Sequence, residues 1–174
     1  GITSFDEYNN WNAEYKFGRE YVLKGQEEYI PNVEQKVLSQ KDLVIAKENV
    51  EENIINLAKK HPETTFYYFF PPYCVAYWAN QSSKGELERT LAAEKLAIEM
   101  ILECPNIKLF SFNLMTDIVT DLNNYKDTTH YGEWINSDIL RYMKNDIGLL
   151  TKENYEDYLE KEREFYMNYP YESI

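Results

Sequence analysis

Thr65-Phe66-Tyr67-Tyr68-Phe69-Phe70-Pro71-Pro72 and Ile107-Lys108-Leu109-Phe110-Ser111-Phe112 bracket a helical pattern, and these two stretches decide the fold. The first is aromatic from Phe66 to Phe70, which predicts a strand covered on both faces, and the proline pair forbids its continuation. Between them, Leu87, Leu91, Ile98, Ile101 and Leu102 recur at helical spacing, Ser83-Lys84-Gly85-Glu86 reads as a capping box, and Pro105 ends the helix. Residues between Pro72 and Ser83 read as a polar loop. Strand, helix and strand make a βαβ unit, whose strands must be parallel and joined by a right-handed crossover.

Outward from that unit the pattern stays mixed. Ser39-Gln40-Lys41-Asp42 opens a helix with Leu43, Ala46, Val50, Ile54 and Leu57 on its apolar stripe, and His61-Pro62 ends it with a charge-favourable cap. Lys47, Glu48, Glu51, Glu52 and Asn56 form its solvated face. Residues 5–30 read as short helical pieces interrupted at Gly18 and Gly25. Further on, Trp134, Ile135, Ile139, Leu140 and Met143 predict one helix. Thr151 caps a last one, with Tyr155, Tyr158, Leu159 and Phe165 inward, and the tail from Asn168 to Ile174 is expected at the surface or docked loosely. The expectation is an α/β fold of parallel strands, single-domain over 1–174 or the C-terminal part of one. Residues 1–38 serve as lead-in and 39–174 as body. Two strands cannot build a stable three-layer domain, so the sheet is expected to be incomplete in this chain.

Composition excludes several classes. Thirty acidic residues against 18 basic ones give a net charge of −12, which repels phosphate backbones and anionic membrane surfaces, so no nucleic-acid partner is expected. No apolar run is long enough for a membrane span. Glycine-rich phosphate loops and dinucleotide fingerprints are absent. Two histidines cannot make a His-rich metal site, and Cys74 and Cys104 read as small buried side chains, so no metal and no cofactor is expected. The start at Gly1-Ile2-Thr3, with no signal-peptide pattern, reads as a processed or excised end that leaves an upstream anchor open. Sixteen tyrosines suit packing with a wet hydroxyl, and also sugar binding.

The chemistry concentrates in Asp121-Leu122-Asn123-Asn124-Tyr125-Lys126-Asp127-Thr128-Thr129-His130-Tyr131. An acid three residues before a histidine can turn back on it and hold one ring nitrogen, leaving the other to take a proton from a hydroxyl. The bland alternative has Asp127 capping a turn and His130 packed under Tyr131.

From Phe66 to Tyr131 the chain resembles the C-terminal part of SGNH/GDSL-type serine esterases, in particular bacterial members with an extracytoplasmic esterase-like domain. The resemblance rests on Asp127 and His130 as their D-x-x-H block, on the lead-up Asn123 to Asp127, and on the strand ending Phe69-Phe70-Pro71-Pro72-Tyr73. It implies a three-layer α/β/α flavodoxin-like fold, with His130 as base and Asp127 orienting it. It also implies an acylated carbohydrate or other ester of the cell envelope as substrate, and an extracytoplasmic or cell-surface location. No serine stands in a Gly-Asp-Ser-like turn, and Pro71-Pro72-Tyr73 replaces the family's Gly-x-Asn block. Tyr73, Asn80 and Tyr131 are the substrate or oxyanion candidates that remain. The chain alone is therefore expected to be inactive. The alternative is a non-catalytic binding or scaffold domain of the same fold, and a helical interaction module conflicts with the βαβ signal. An unpaired sheet edge would favour a homodimer.

Overall fold

The computed structural model describes residues 15–25 and 28–174; the expected helical pieces over 5–14 lie outside them. The described chain enters through one helical turn, α1 (Arg19–Val22), which follows Gly18 and buries Val22. The next helix, α2 (Gln40–Val50), starts at the expected capping box: Ser39 Oγ accepts the Asp42 amide, and Asp42 accepts the Ser39 amide at 3.0 Å. It passes through a π-helical turn, Glu51–Ile55, into α3 (Asn56–Lys60), which ends at His61. The extra residue in that turn rotates the stripe. Val50, Ile55 and Ala58 are buried, whereas Leu57 is 40% exposed, so the expected inward positions Ile54 and Leu57 give way by one residue.

β1 (Phe66–Phe70) leads past the two prolines into a helix, α4 (Val75–Ser83), where the sequence pattern predicts a loop. Ser83-Lys84-Gly85-Glu86 closes α4 instead of capping its successor. The Glu86 amide donates to Gln81 O and the Gly85 amide to Ser82 O, with Gly85 at φ 67°, a Schellman ending. Among the described residues the buried Ser83 hydroxyl has no hydrogen-bond partner, and Glu86 is ion-paired with Lys36 and Arg89. Then come α5 (Leu87–Ile101) and β2 (Ile107–Ser111), which pairs parallel with β1 from Phe66↔Ile107 to Phe70↔Ser111. The βαβ unit thus forms as expected.

After β2 follow a short helix α6 (Thr116–Val119), a 3-10 turn (Leu122–Asn124) and α7 (Glu133–Lys144). β3 (Leu149–Leu150) pairs antiparallel with β2, and α8 (Tyr155–Met167) precedes a 3-10 turn at Tyr171–Ser173. The fold is α/β with a small mixed sheet of order β1-β2-β3. Uniformly parallel strands were expected; a two-residue antiparallel strand has no alternation for a sequence to display.

Helices cover both faces. Tyr68, Phe70 and Leu109 pack with Val50, Ile55, Ile98, Ile101 and Leu159, while Phe110 and Phe112 pack with Ile139, Tyr142 and Met143 of α7. β1 is not covered twice, however: as an edge strand it leaves Tyr67 51% exposed. On α7, Trp134 and Leu140 also face outward, so only Ile135 and Ile139 of its expected stripe are fully buried. The tail is no loose end. Tyr171 is buried and its hydroxyl donates to Tyr166 O at 2.8 Å, because an aromatic ring with a satisfied hydroxyl is a good core group.

Gly85 carries the α4–α5 corner. A Cβ there would stand 2.3 Å from the carbonyl oxygen of Glu34, on a backbone that side chains rarely adopt. Gly85→Ala should lower stability by about 1–3 kcal/mol in denaturant unfolding, and an unchanged midpoint would contradict the tight corner.

Candidate functional site

The acidic loop hangs from the carboxyl end of β1. Tyr125 and Tyr131 form an antiparallel bridge, the Lys126 amide donates to His130 O at 3.0 Å, and the Gly132 amide to Asn124 O at 2.8 Å. Two side chains tie this closed loop to the segment after β1: Tyr125 Oη donates to Pro72 O at 2.5 Å, and Cys74 Sγ to Thr128 O at 3.3 Å. Neither tie can be read from the sequence alone, since each joins residues more than fifty positions apart. Burial pushes the Cys74 thiol up to about 11, so it remains a protonated donor and no nucleophile.

Within the loop both sequence readings of Asp127 hold together. It caps the turn, accepting the amides of Thr129 at 2.9 Å and His130 at 2.8 Å, and it also holds the His130 ring, with Nδ1 2.8 Å from Oδ2. Half-burial raises the Asp127 pKa, but hydrogen bonds from the Thr129 and His130 amides and the imidazole outweigh it, so the carboxyl lies below its ordinary value. An anionic Asp127 fixes the proton on Nδ1 and leaves Nε2 as the basic nitrogen. His130 is not packed under Tyr131: its side chain is about half exposed.

A cavity of about 300 Å³ opens beside the imidazole, walled by Tyr15, Tyr73, Lys126, Thr129 and Tyr131 among others. Of the three candidate donors, Tyr73 and Tyr131 are therefore brought to His130, while Asn80, on α4, lies outside the cavity wall. Burial and the neighbouring Tyr73 push the Tyr131 phenol up to about 12, so it stays a hydrogen-bond donor. The Tyr73 amide is engaged with Pro71 O at 2.8 Å, and the two prolines have none to give. Pro71, Pro72 and Tyr73 thus offer no backbone amide to an oxyanion.

No serine is among the described residues walling this cavity. Thr129 is, but its hydroxyl lies 3.2 Å from Nδ1, the nitrogen that faces Asp127, and so on the wrong side of the ring for deprotonation. Among the described residues, no group of three or more His, Cys, Asp or Glu side chains is placed to hold a metal ion, and no helix is long and apolar enough to cross a membrane.

No family model, curated protein or solved structure matches this chain.

The residues that sequence reasoning passed over lie on the other side of Tyr73. Glu94, Asn113 and Glu162 are buried together, although two of them are acids. A signal was present: each glutamate interrupts an apolar helical stripe, Leu87-Leu91-Ile98 in α5 and Tyr158-Leu159-Tyr166 in α8.

The depressed Asp127 pKa fixes a sign. Its contribution to stability is present above the unfolded carboxyl pKa and is lost as pH falls through the lower folded value. Carboxyl-carbon NMR titration should place the Asp127 midpoint below the ordinary range, and His130→Ala should move it upward; an unmoved midpoint would show that the ring does not hold the carboxylate.

Proposed function

We propose that this chain supplies the acid–base half of an SGNH-like ester hydrolase or acyltransferase, acting on O-acyl groups of carbohydrate or cell-envelope polymers. One observation carries the reading: the Nδ1–Oδ2 pair of His130 and Asp127, closed within one loop, opens its imidazole onto a cavity near the carboxyl end of a parallel strand. The fold would then be a flavodoxin-like three-layer sandwich whose sheet is completed by further chain, and the location extracytoplasmic or at the cell surface.

In this mechanism Nε2 of His130 takes the proton of a serine hydroxyl as the serine oxygen bonds to the acyl carbon. The ester C–O bond then breaks, and the imidazolium returns the proton to the departing alcohol. Asp127 holds the ring and stabilises its charged form. Tyr73 and Tyr131 offer hydroxyl donors to the substrate, and the Lys126 ammonium, 3.7 Å from the Tyr15 ring centre, adds positive charge to the cavity wall. The serine comes from chain beyond the described residues.

The test compares the chain alone with the same chain joined to its upstream coding sequence. On p-nitrophenyl acetate and acetylated glycans, the chain alone should not exceed the buffer rate. The extended chain should turn over and lose about three orders of magnitude or more in kcat with His130→Ala. Turnover by the chain alone that disappears in His130→Ala, or an extended enzyme indifferent to that substitution, would overturn the reading.

Aromatic walls support a second reading, a non-catalytic glycan-binding domain of the same fold, because Tyr15, Phe17, Tyr73 and Tyr131 give the cavity ring faces suited to sugars. Upstream sequence lacking a serine turn would favour it. The outer edge of β1 pairs with no strand among the described residues, which supports homodimerisation through the sheet. Light scattering at high concentration should show a dimer, and a strict monomer would count against it.

A further inference from the structure

Glu94 is 8% exposed, Asn113 3% and Glu162 fully buried. Asn113 Nδ2 bridges both oxygens of Glu94 at 3.2 and 3.3 Å, but among the described residues Asn113 Oδ1 and both Glu162 oxygens have no hydrogen-bond partner. Among the described residues, no Lys, Arg or His is ion-paired with either glutamate. Burial raises the pKa of both, and for Glu94 the repulsion from Glu162 adds to it, with the Asn113 hydrogen bonds pulling Glu94 partly back. Two buried carboxyls without a basic neighbour call for a proton or a cation as counter-charge.

Glu94 and Asn113 do not end in solid core. With Phe70, Tyr73, Tyr77 and Trp78 they line a second cavity, of about 230 Å³, at the carboxyl ends of β1 and β2. The rings form a continuous wall: Tyr73 and Tyr77 lie 4.7 Å apart, and Tyr77 and Trp78 5.3 Å apart. Aromatic rings around a carboxyl are the chemistry that holds organic ammonium ions, and a net charge of −12 draws cations toward the molecule. An unpartnered amide oxygen beside the carboxyl further selects a cation that carries N–H donors. The volume limits the occupant to a small group.

We infer that this cavity binds a small primary ammonium group, hydrogen-bonded by Glu94 and Asn113 and enclosed by the rings of Tyr73, Tyr77 and Trp78. The inference stands apart from the esterase reading, since it uses neither Asp127 nor His130. Pro71 and Tyr73 are shared with the His130 cavity, so the rest of a molecule anchored here would lie beside that second space.

The experiment titrates the full chain with n-propylammonium and, separately, with the neutral n-propanol, following the Asn113 side-chain amide and the Trp78 indole by proton–nitrogen NMR. Saturable shifts with the cation, absent with the alcohol at equal concentration, are expected, with affinity at least tenfold weaker in Glu94→Gln. Tyr77→Leu, at the partly exposed rim, should weaken it severalfold and keeps the test open if Glu94→Gln does not fold. No saturable shift, equal response to the alcohol, or unchanged affinity in the folded variants would overturn the assignment.

Discussion

Parallel pairing of β1 with β2 is the constraint on which the rest of the structure depends. Parallel neighbours cannot be joined by a tight turn, so residues 71–106 must cross over the sheet, and they do so as α4 and α5. The register from Phe66↔Ile107 to Phe70↔Ser111 brings both strand ends to one side of the molecule. There Pro71 and Pro72 stop β1, and Asn113 follows β2 within two residues. Both cavities open at this end, where backbone has left the sheet and side chains from separate elements converge.

The proline pair has a second consequence. It leaves the carbonyls of Pro71 and Pro72 available as acceptors with no competing amides, and the chain uses both. Pro71 O takes the Tyr73 amide and Pro72 O takes the buried Tyr125 hydroxyl, which fastens the Asp127–His130 loop to the strand. Cys74 adds a weaker tie one residue beyond its neighbour Tyr73. The imidazole is thus held on a short, closed loop braced against the sheet, and its geometry is set by the fold.

Buried carboxyls at Glu94 and Glu162 work against stability, because desolvation of an acid without a basic partner is expensive and a hydrophobic side chain would fit either stripe. Asn113 compensates only part of that cost with its two bonds to Glu94. A chain that keeps two acids in its core, next to an aromatic-walled cavity, is arranged for a counter-charge at that point.

The sequence by itself determined whatever closes within a few residues. The Ser39–Asp42 box, the strand at Phe66–Phe70 broken by two prolines, the amphipathic stripe of α5 and the turn of Asp127 onto His130 are all local, and each was legible. Tertiary structure decided what depends on distant partners. Ser83 to Glu86 carries the letters of a capping box, yet Gly85 turns left-handed against the Glu34 carbonyl and the same residues end a helix. One added residue at Glu51–Ile55 rotates the stripe because burial against α5 outweighs the regular helical period. β3 exists only because β2 offers it an edge, and Tyr171 is core only because α8 presents a carbonyl to its hydroxyl. Glu94, Asn113 and Glu162 meet from α5, the segment just after β2 and α8, separated by up to 68 positions, and no local pattern encodes such a meeting.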